Sequence, residues 1–202
     1  MNQKQLPIFT IILIVSNILY FFYLTAIGVL NDNTRLIDYG VMFWPLVVEQ
    51  HQYYRLFTCM FIHFNINHLL NNMVMLGVLG QTLEIEKGRI GFIFTYIISG
   101  LGGSFASFYM NYSLQSNVIS GGASGAIFGL MGALLAYVLR SRRPMGRLSK
   151  RGMIFCVGFS LYIGFTSDHV DNIAHLGGLC IGFLLGLLLS CFPNKQKCEV
   201  NQ

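Results

Sequence analysis

Apolar residues gather along this chain into six blocks: about Leu6–Leu30, Leu69–Leu83, Ile90–Tyr112, Ser124–Leu139, Met153–Phe165 and Ala174–Cys191. Each lies near the roughly 20 residues a helix needs to cross a bilayer, the second and fifth being short if read strictly. Charged residues avoid the blocks and fall between them. The pattern predicts an all-α fold, a polytopic membrane helix bundle of six transmembrane spans, forming a single domain over residues 1–202 with no separate soluble module. The first block is too long for the roughly 7–15 apolar residues of a signal peptide and is preceded only by Lys4, so it reads as a retained span.

Composition agrees. The 202 residues are 54% hydrophobic and 10% charged, with a mean hydropathy of +0.59. A soluble domain of this length cannot hide that much apolar surface.

The net charge of +5 at first suggests nucleic acid, but its placement points to topology. Arg140, Arg142, Arg143, Arg147, Lys150 and Arg151 share a basic loop at about 140–152, between spans four and five. Lys4, Lys87, Arg89, Lys195 and Lys197 fall on the same side if six spans alternate, leaving Arg35 and Arg55 opposite. The positive-inside rule then predicts cytoplasmic termini, with a short cytoplasmic tail at about 193–202, and the loop is suited to anionic membrane lipids. A single small membrane domain of this kind suits a bacterial plasma membrane, and no nucleic-acid partner is expected.

With this topology, spans two, four and six all begin at the outer face. Polar residues concentrate at those three ends: His63, His68, Asn71 and Asn72 at span two, Ser124 at span four, Asp171 and His175 at span six. The odd spans carry no comparable set. Polar groups in a bilayer are costly and mark function by default, and here three spans place them at one depth. Glycines recur every fourth residue, at 121, 125 and 129 in span four and at 178, 182 and 186 in span six, giving small faces that let backbones approach closely.

Taken alone, Ser124 reads as a packing serine. A histidine at the same depth on a partner span reverses that reading, because a neutral imidazole can take the hydroxyl proton and return it to a leaving amine. Asp171 precedes His175 by one turn and is open to two readings, a third triad member or the N-cap of span six, with the cap favoured. His68 and Asn72 share a helix face and are either an oxyanion-binding pair or a hydrogen-bonded pair steadying span two. His63 and His68, five apart, would stand roughly 140° apart on a helix, a poor arrangement for one metal ion. His51 and His169 read as loop histidines. No metal or other cofactor is expected, and the five cysteines suggest no disulfide framework. The aromatic segment between spans one and two (Tyr39, Phe43, Trp44, Tyr53, Tyr54) reads as a partly embedded loop flanking the site.

These motifs carry a family resemblance. In order the chain has H-x4-H-x3-N (His63, His68, Asn72), Glu84 and Gly88, G-x-S-G (Gly122, Ser124, Gly125) and A-H-x-x-G-x-x-x-G (Ala174, His175, Gly178, Gly182). From Arg55 to Gly186 it resembles rhomboid intramembrane serine proteases of the compact bacterial six-span type. The resemblance implies a serine endopeptidase that cuts transmembrane protein substrates near their outer end. Ser124 would be the nucleophile and His175 the base, as a dyad without an acid. Asn72, His68 and the Ser124 backbone N–H would form the oxyanion hole. Gly122 and Ala123 would border the substrate, with His63 and Phe128 supporting the site. Arg55 would brace the first loop and Glu84 the inner end of span two, while span five, with Phe155, Phe159 and Phe165, would lie where substrate enters. Two positions depart from the family pattern: Tyr54 stands where Trp is frequent before the loop arginine, and Phe128 where some members have a Tyr stacked on the histidine.

Three other functions compete. A non-catalytic rhomboid-like factor that binds membrane proteins for quality control is disfavoured by the retained Ser and His. A small transporter would need mid-membrane charges or an inverted repeat, and neither is present. A lipid hydrolase would use the same dyad.

Overall fold

The computed structural model describes residues 6–30, 32–140, 149–167 and 170–191. The core of the basic loop, His169 and the tail at 193–202 lie outside the described residues. The elements are α1 (Ile8–Ala26), α2 (Asn33–Leu36), α3 (Trp44–Glu49), α4 (Arg55–Thr58), α5 (Ile66–Ser113), α6 (Ser124–Arg140), α7 (Lys150–Thr166) and α8 (Asn172–Ser190), with 3-10 turns at Ile37–Tyr39 and Cys59–Phe61.

Spans two and three are the two halves of α5. The chain breaks at Gly88, whose φ of 79° and ψ of 169° suit glycine. It folds back there, so that Phe92 comes against Gly80. With α5 halved, the described residues form the six long rods that the hydropathy pattern predicts. Helices α1, α5 and α8 are long and apolar enough to cross a membrane, and α6 is a shorter apolar helix.

Helix α6 is the axis of the bundle, buried almost continuously from Gly125 to Leu134. Its tightest neighbour is α8. A Cβ at Gly178, Gly182 or Gly186 would fall on the carbonyl oxygens of Gly125, Gly129 and Ala133 in turn. The two backbones are therefore in direct contact over two turns, as a small-residue face permits in lipid. Gly121, expected to continue this face, stands before α6 and packs instead near the Ile62 carbonyl.

Helix α1 has no cap of its own. Pro7 precedes it without a side-chain hydrogen bond, and the carboxylate of Glu84, from α5, fills the role. Glu84 accepts from the Phe9 and Thr10 backbone N–H groups at 3.0 and 2.8 Å and from the Thr10 hydroxyl at 2.7 Å. An anion on the free amides of a helix N-terminus satisfies donors that have no partner within the helix.

The segment between α1 and α5 is more ordered than the expected loop. Leu36, Val41, Met42, Trp44, Val47, Met60 and Ile62 are buried in it, while Tyr53 and Tyr54 remain exposed. It has no hydrophobic period to read because it is built from single turns held by side-chain bonds to backbone. Arg55, buried, donates Nη1 to the Ile37 and Val41 carbonyls at 2.6 and 3.0 Å and Nε to Gln52 at 2.7 Å. Thr58 Oγ1 donates to the Gly40 carbonyl and Tyr20 to that of Tyr39. An antiparallel bridge between Met42 and Ser120 ties the segment to the approach of α6.

Helix α7 is the loosest rod. Only Met153, Val157 and Gly164 are buried, and Phe155, Phe159 and Phe165 face outward.

Candidate active site

The polar residues predicted to converge sit at one end of the bundle, where the first half of α5, α6 and α8 all begin. Asn65 caps α5 by accepting from the His68 N–H at 2.9 Å, and Asp171 caps α8 by accepting from Ala174 N–H at 3.0 Å. These caps fix where His68, Asn72 and His175 leave their helices.

The close α6–α8 packing brings Ser124 Oγ within 2.9 Å of His175 Nε2. That is hydrogen-bond distance and the geometry a serine nucleophile and its base require. Phe128, one turn along α6, lies flat on the imidazole with ring centroids 4.1 Å apart and planes 13° apart. His175 Nδ1 is buried without a hydrogen-bond partner among the described residues. Asp171 is the N-cap: its second oxygen accepts from the Ser107 hydroxyl, and neither oxygen bonds the imidazole. For Ser124 to donate to Nε2, the ring proton resides on Nδ1.

His68 and Asn72 meet the same place from α5. Gly122, with φ of 132°, has its missing Cβ 2.8 Å from His68 Nε2 and 3.6 Å from Asn72 Nδ2. A side chain there would fill the space in front of both donors two residues before Ser124. Asn72 Nδ2 is buried with no partner among the described residues, a donor held ready for an acceptor. Ala123 is fully buried beside Gly122.

His63 lies in the loop before α5, so the helical angle between it and His68 does not apply; the turn brings their rings edge to face at 4.9 Å. Burial, with His68 beside it, lowers His63 to about 3 and keeps it neutral. Burial likewise pushes the Cys59 thiol up to about 11, which leaves it unreactive.

The odd-numbered spans are not bare of polar groups. Ser104 and Ser107, from the second half of α5, join Ser120, Asp171 and Cys59 around a small cavity behind Ser124. Sequence spacing does not single them out, since isolated serines in an apolar helix read as packing. Asn172, which donates to the Gly164 carbonyl at 3.0 Å and so pins α7 beside His175, is equally silent in sequence.

The chain is similar to proteins of one family. The family model described as the Rhomboid domain matches residues 50–192. "RHOMBOID-like protein 1" of Arabidopsis thaliana is 40% identical over 156 residues, 76% of this chain and 39% of that protein. "Rhomboid protease GluP" of Bacillus subtilis (strain 168) is 35% identical over 187 residues, 93% of this chain and 36% of its own length. The protein YdcA of the same bacterium is 32% identical over 192 residues, 95% of this chain and 92% of YdcA. This chain thus spans well under half of the first two and nearly all of the third. Its helices form an integral membrane bundle, and the chain belongs to the rhomboid family.

Proposed function

We propose that this chain, as a single domain over 1–202, is an intramembrane serine endopeptidase that cleaves transmembrane segments of membrane proteins near their outer end. The observation that carries the reading is the 2.9 Å contact between Ser124 Oγ and His175 Nε2 at the polar end of an otherwise apolar bundle. Relatives named as proteases, GluP among them, add family-level support.

In this reading His175 Nε2 takes the Ser124 proton as Oγ bonds the scissile carbonyl carbon. The oxyanion is received by Asn72 Nδ2, His68 and the Ser124 backbone N–H, donors aimed where charge develops. The imidazolium returns its proton to the departing amine as the C–N bond breaks. Water then attacks the acyl-enzyme with His175 again as base, releasing the new carboxyl end and restoring Ser124. Gly122 keeps the approach open. Phe128 and the capped start of α8 hold the imidazole where a triad would use a carboxylate. The site faces the outside, and both termini the cytoplasm, of a bacterial plasma membrane, with lipids around the apolar rods.

The test is cleavage in proteoliposomes of a single-span reporter carrying small, helix-weakening residues near its outer end. Product masses locate the cut. The reading expects a cut inside the membrane segment that is absent with Ser124→Ala. Uncut reporters with the folded wild-type chain, while a rhomboid protease cuts them alongside, would oppose it.

A further inference from the structure

Ser124 and His175 lie on different helices, and each follows by four residues a group bonded to one hydroxyl. Ser107 Oγ, buried in the second half of α5, donates to Asp171 Oδ2 and lies 3.2 Å from Ser120 Oγ. Asn111 Nδ2 donates to the same oxygen at 3.4 Å. A hydroxyl has one proton and two lone pairs. With the proton given to Asp171, the lone pairs accept from Ser120 and Asn111, and Ser107 is saturated.

Both arms are short and stiff. Ser120 is also locked by two backbone bonds of 2.9 Å to Met42, and from it the chain enters α6 at Ser124. Asp171 caps α8 and accepts from the His175 N–H through its backbone carbonyl at 3.2 Å. The α6–α8 glycine face sets how close these helices run. Where both helices start, the hydrogen bonds through Ser107 join all three elements among the described residues.

We propose that Ser107 is a positioning residue, the common anchor that sets the distance between Ser124 and His175 through Ser120 on one arm and Asp171 on the other. The inference rests on the dyad reading above. It assigns Asp171 a role through hydrogen-bond geometry, with its charge incidental.

The experiment uses the full-length chain in mild detergent, with a fluorophosphonate probe. It compares wild type, Ser107→Ala, Asp171→Ala and Asp171→Asn for the maximal rate of Ser124 modification and the half-saturating probe concentration. Asparagine keeps one oxygen for the Ala174 N–H and remains a good N-cap, and its NH2 can donate to Ser107 Oγ, which then turns its own proton to Ser120. The expected result is a maximal rate at least tenfold lower in Ser107→Ala and Asp171→Ala, half-saturation unchanged, and Asp171→Asn within about threefold of wild type, since misplaced reacting groups lose rate steeply. Asp171→Asn as slow as Asp171→Ala, or Ser107→Ala reacting at the wild-type rate, would overturn the anchor. If Ser107→Ala does not fold, the two Asp171 variants decide. Side-chain 15N spectra of His175 in the same variants report its bond to Ser124 without the probe. A wild type that shows the bonded signal yet takes no probe counts against the dyad reading, and the anchor then stands or falls on whether Asp171→Ala loses that signal and Asp171→Asn keeps it.

Discussion

Phe128 lies face to face on His175, with 4.1 Å between the ring centroids. With Nδ1 unpartnered among the described residues, this ring contact and the Ser124 bond are what fix the imidazole plane. An aromatic pair of this kind contributes roughly 0.5–1.5 kcal/mol beyond area burial. Phe128→Leu, which retains bulk and loses the flat face, lowers kcat about tenfold with KM little changed and the melting temperature nearly intact. A Phe128→Leu enzyme with wild-type kcat would remove the ring from the mechanism.

Direct backbone contact between α6 and α8 makes Gly182 intolerant of a single methyl, because the new Cβ falls on the Gly129 carbonyl. Gly182→Ala costs roughly 1–3 kcal/mol through overpacking. Gly158 in α7 has open space where its Cβ would be, so Gly158→Ala is neutral or stabilising by up to about 1 kcal/mol. Thermal unfolding of the two variants in one detergent checks the contrast; equal melting temperatures would contradict the helix contact.

Glu84 is the N-terminal cap that α1 lacks in its own sequence. Glu84→Ala strands two backbone donors and the Thr10 hydroxyl in the bundle, a loss of about 2 kcal/mol or more. The site lies at the other end of these helices, so probe labelling of Ser124 in the cold is retained while the melting temperature falls. Loss of both together would place Glu84 nearer the chemistry than this structure does.

His63 ties stability to pH. Its folded value of about 3 lies below the ordinary 6.5, so between these values the unfolded chain binds more protons than the folded one. Stability from this group is fully present above pH 6.5 and declines as pH falls toward 3. Replacing the ring by His63→Gln makes the fall in melting temperature between pH 6.5 and 4 shallower. An unchanged slope would mean that His63 is not the buried neutral ring described.

Much of this structure was legible in residue order. Six apolar blocks gave the six rods, since lipid admits helices with internally satisfied backbone. Convergence of His68, Asn72, Ser124 and His175 followed from topology, because alternating spans bring three starts to one face. Glycine spacing foretold how close α6 and α8 run. The folded segment before α5 was hidden because its single turns carry no period and its stability comes from side-chain bonds such as Arg55 to Ile37 and Val41. The Ser107 contacts were hidden for a related reason: they join residues 13 and 64 apart in sequence, and a lone serine in an apolar helix carries no pattern. Placing His63 on the helix of His68 failed because α5 starts only at Ile66, with Asn65 as its cap.

The most direct measurement is to treat the purified, folded chain with a fluorophosphonate and locate the adduct by mass spectrometry, with His175→Ala alongside. An activated dyad gives one adduct, at Ser124, which disappears in His175→Ala. A folded wild type unmodified at Ser124, under conditions where a known rhomboid protease is labelled, would contradict the dyad and leave a membrane-protein binding role for the same fold.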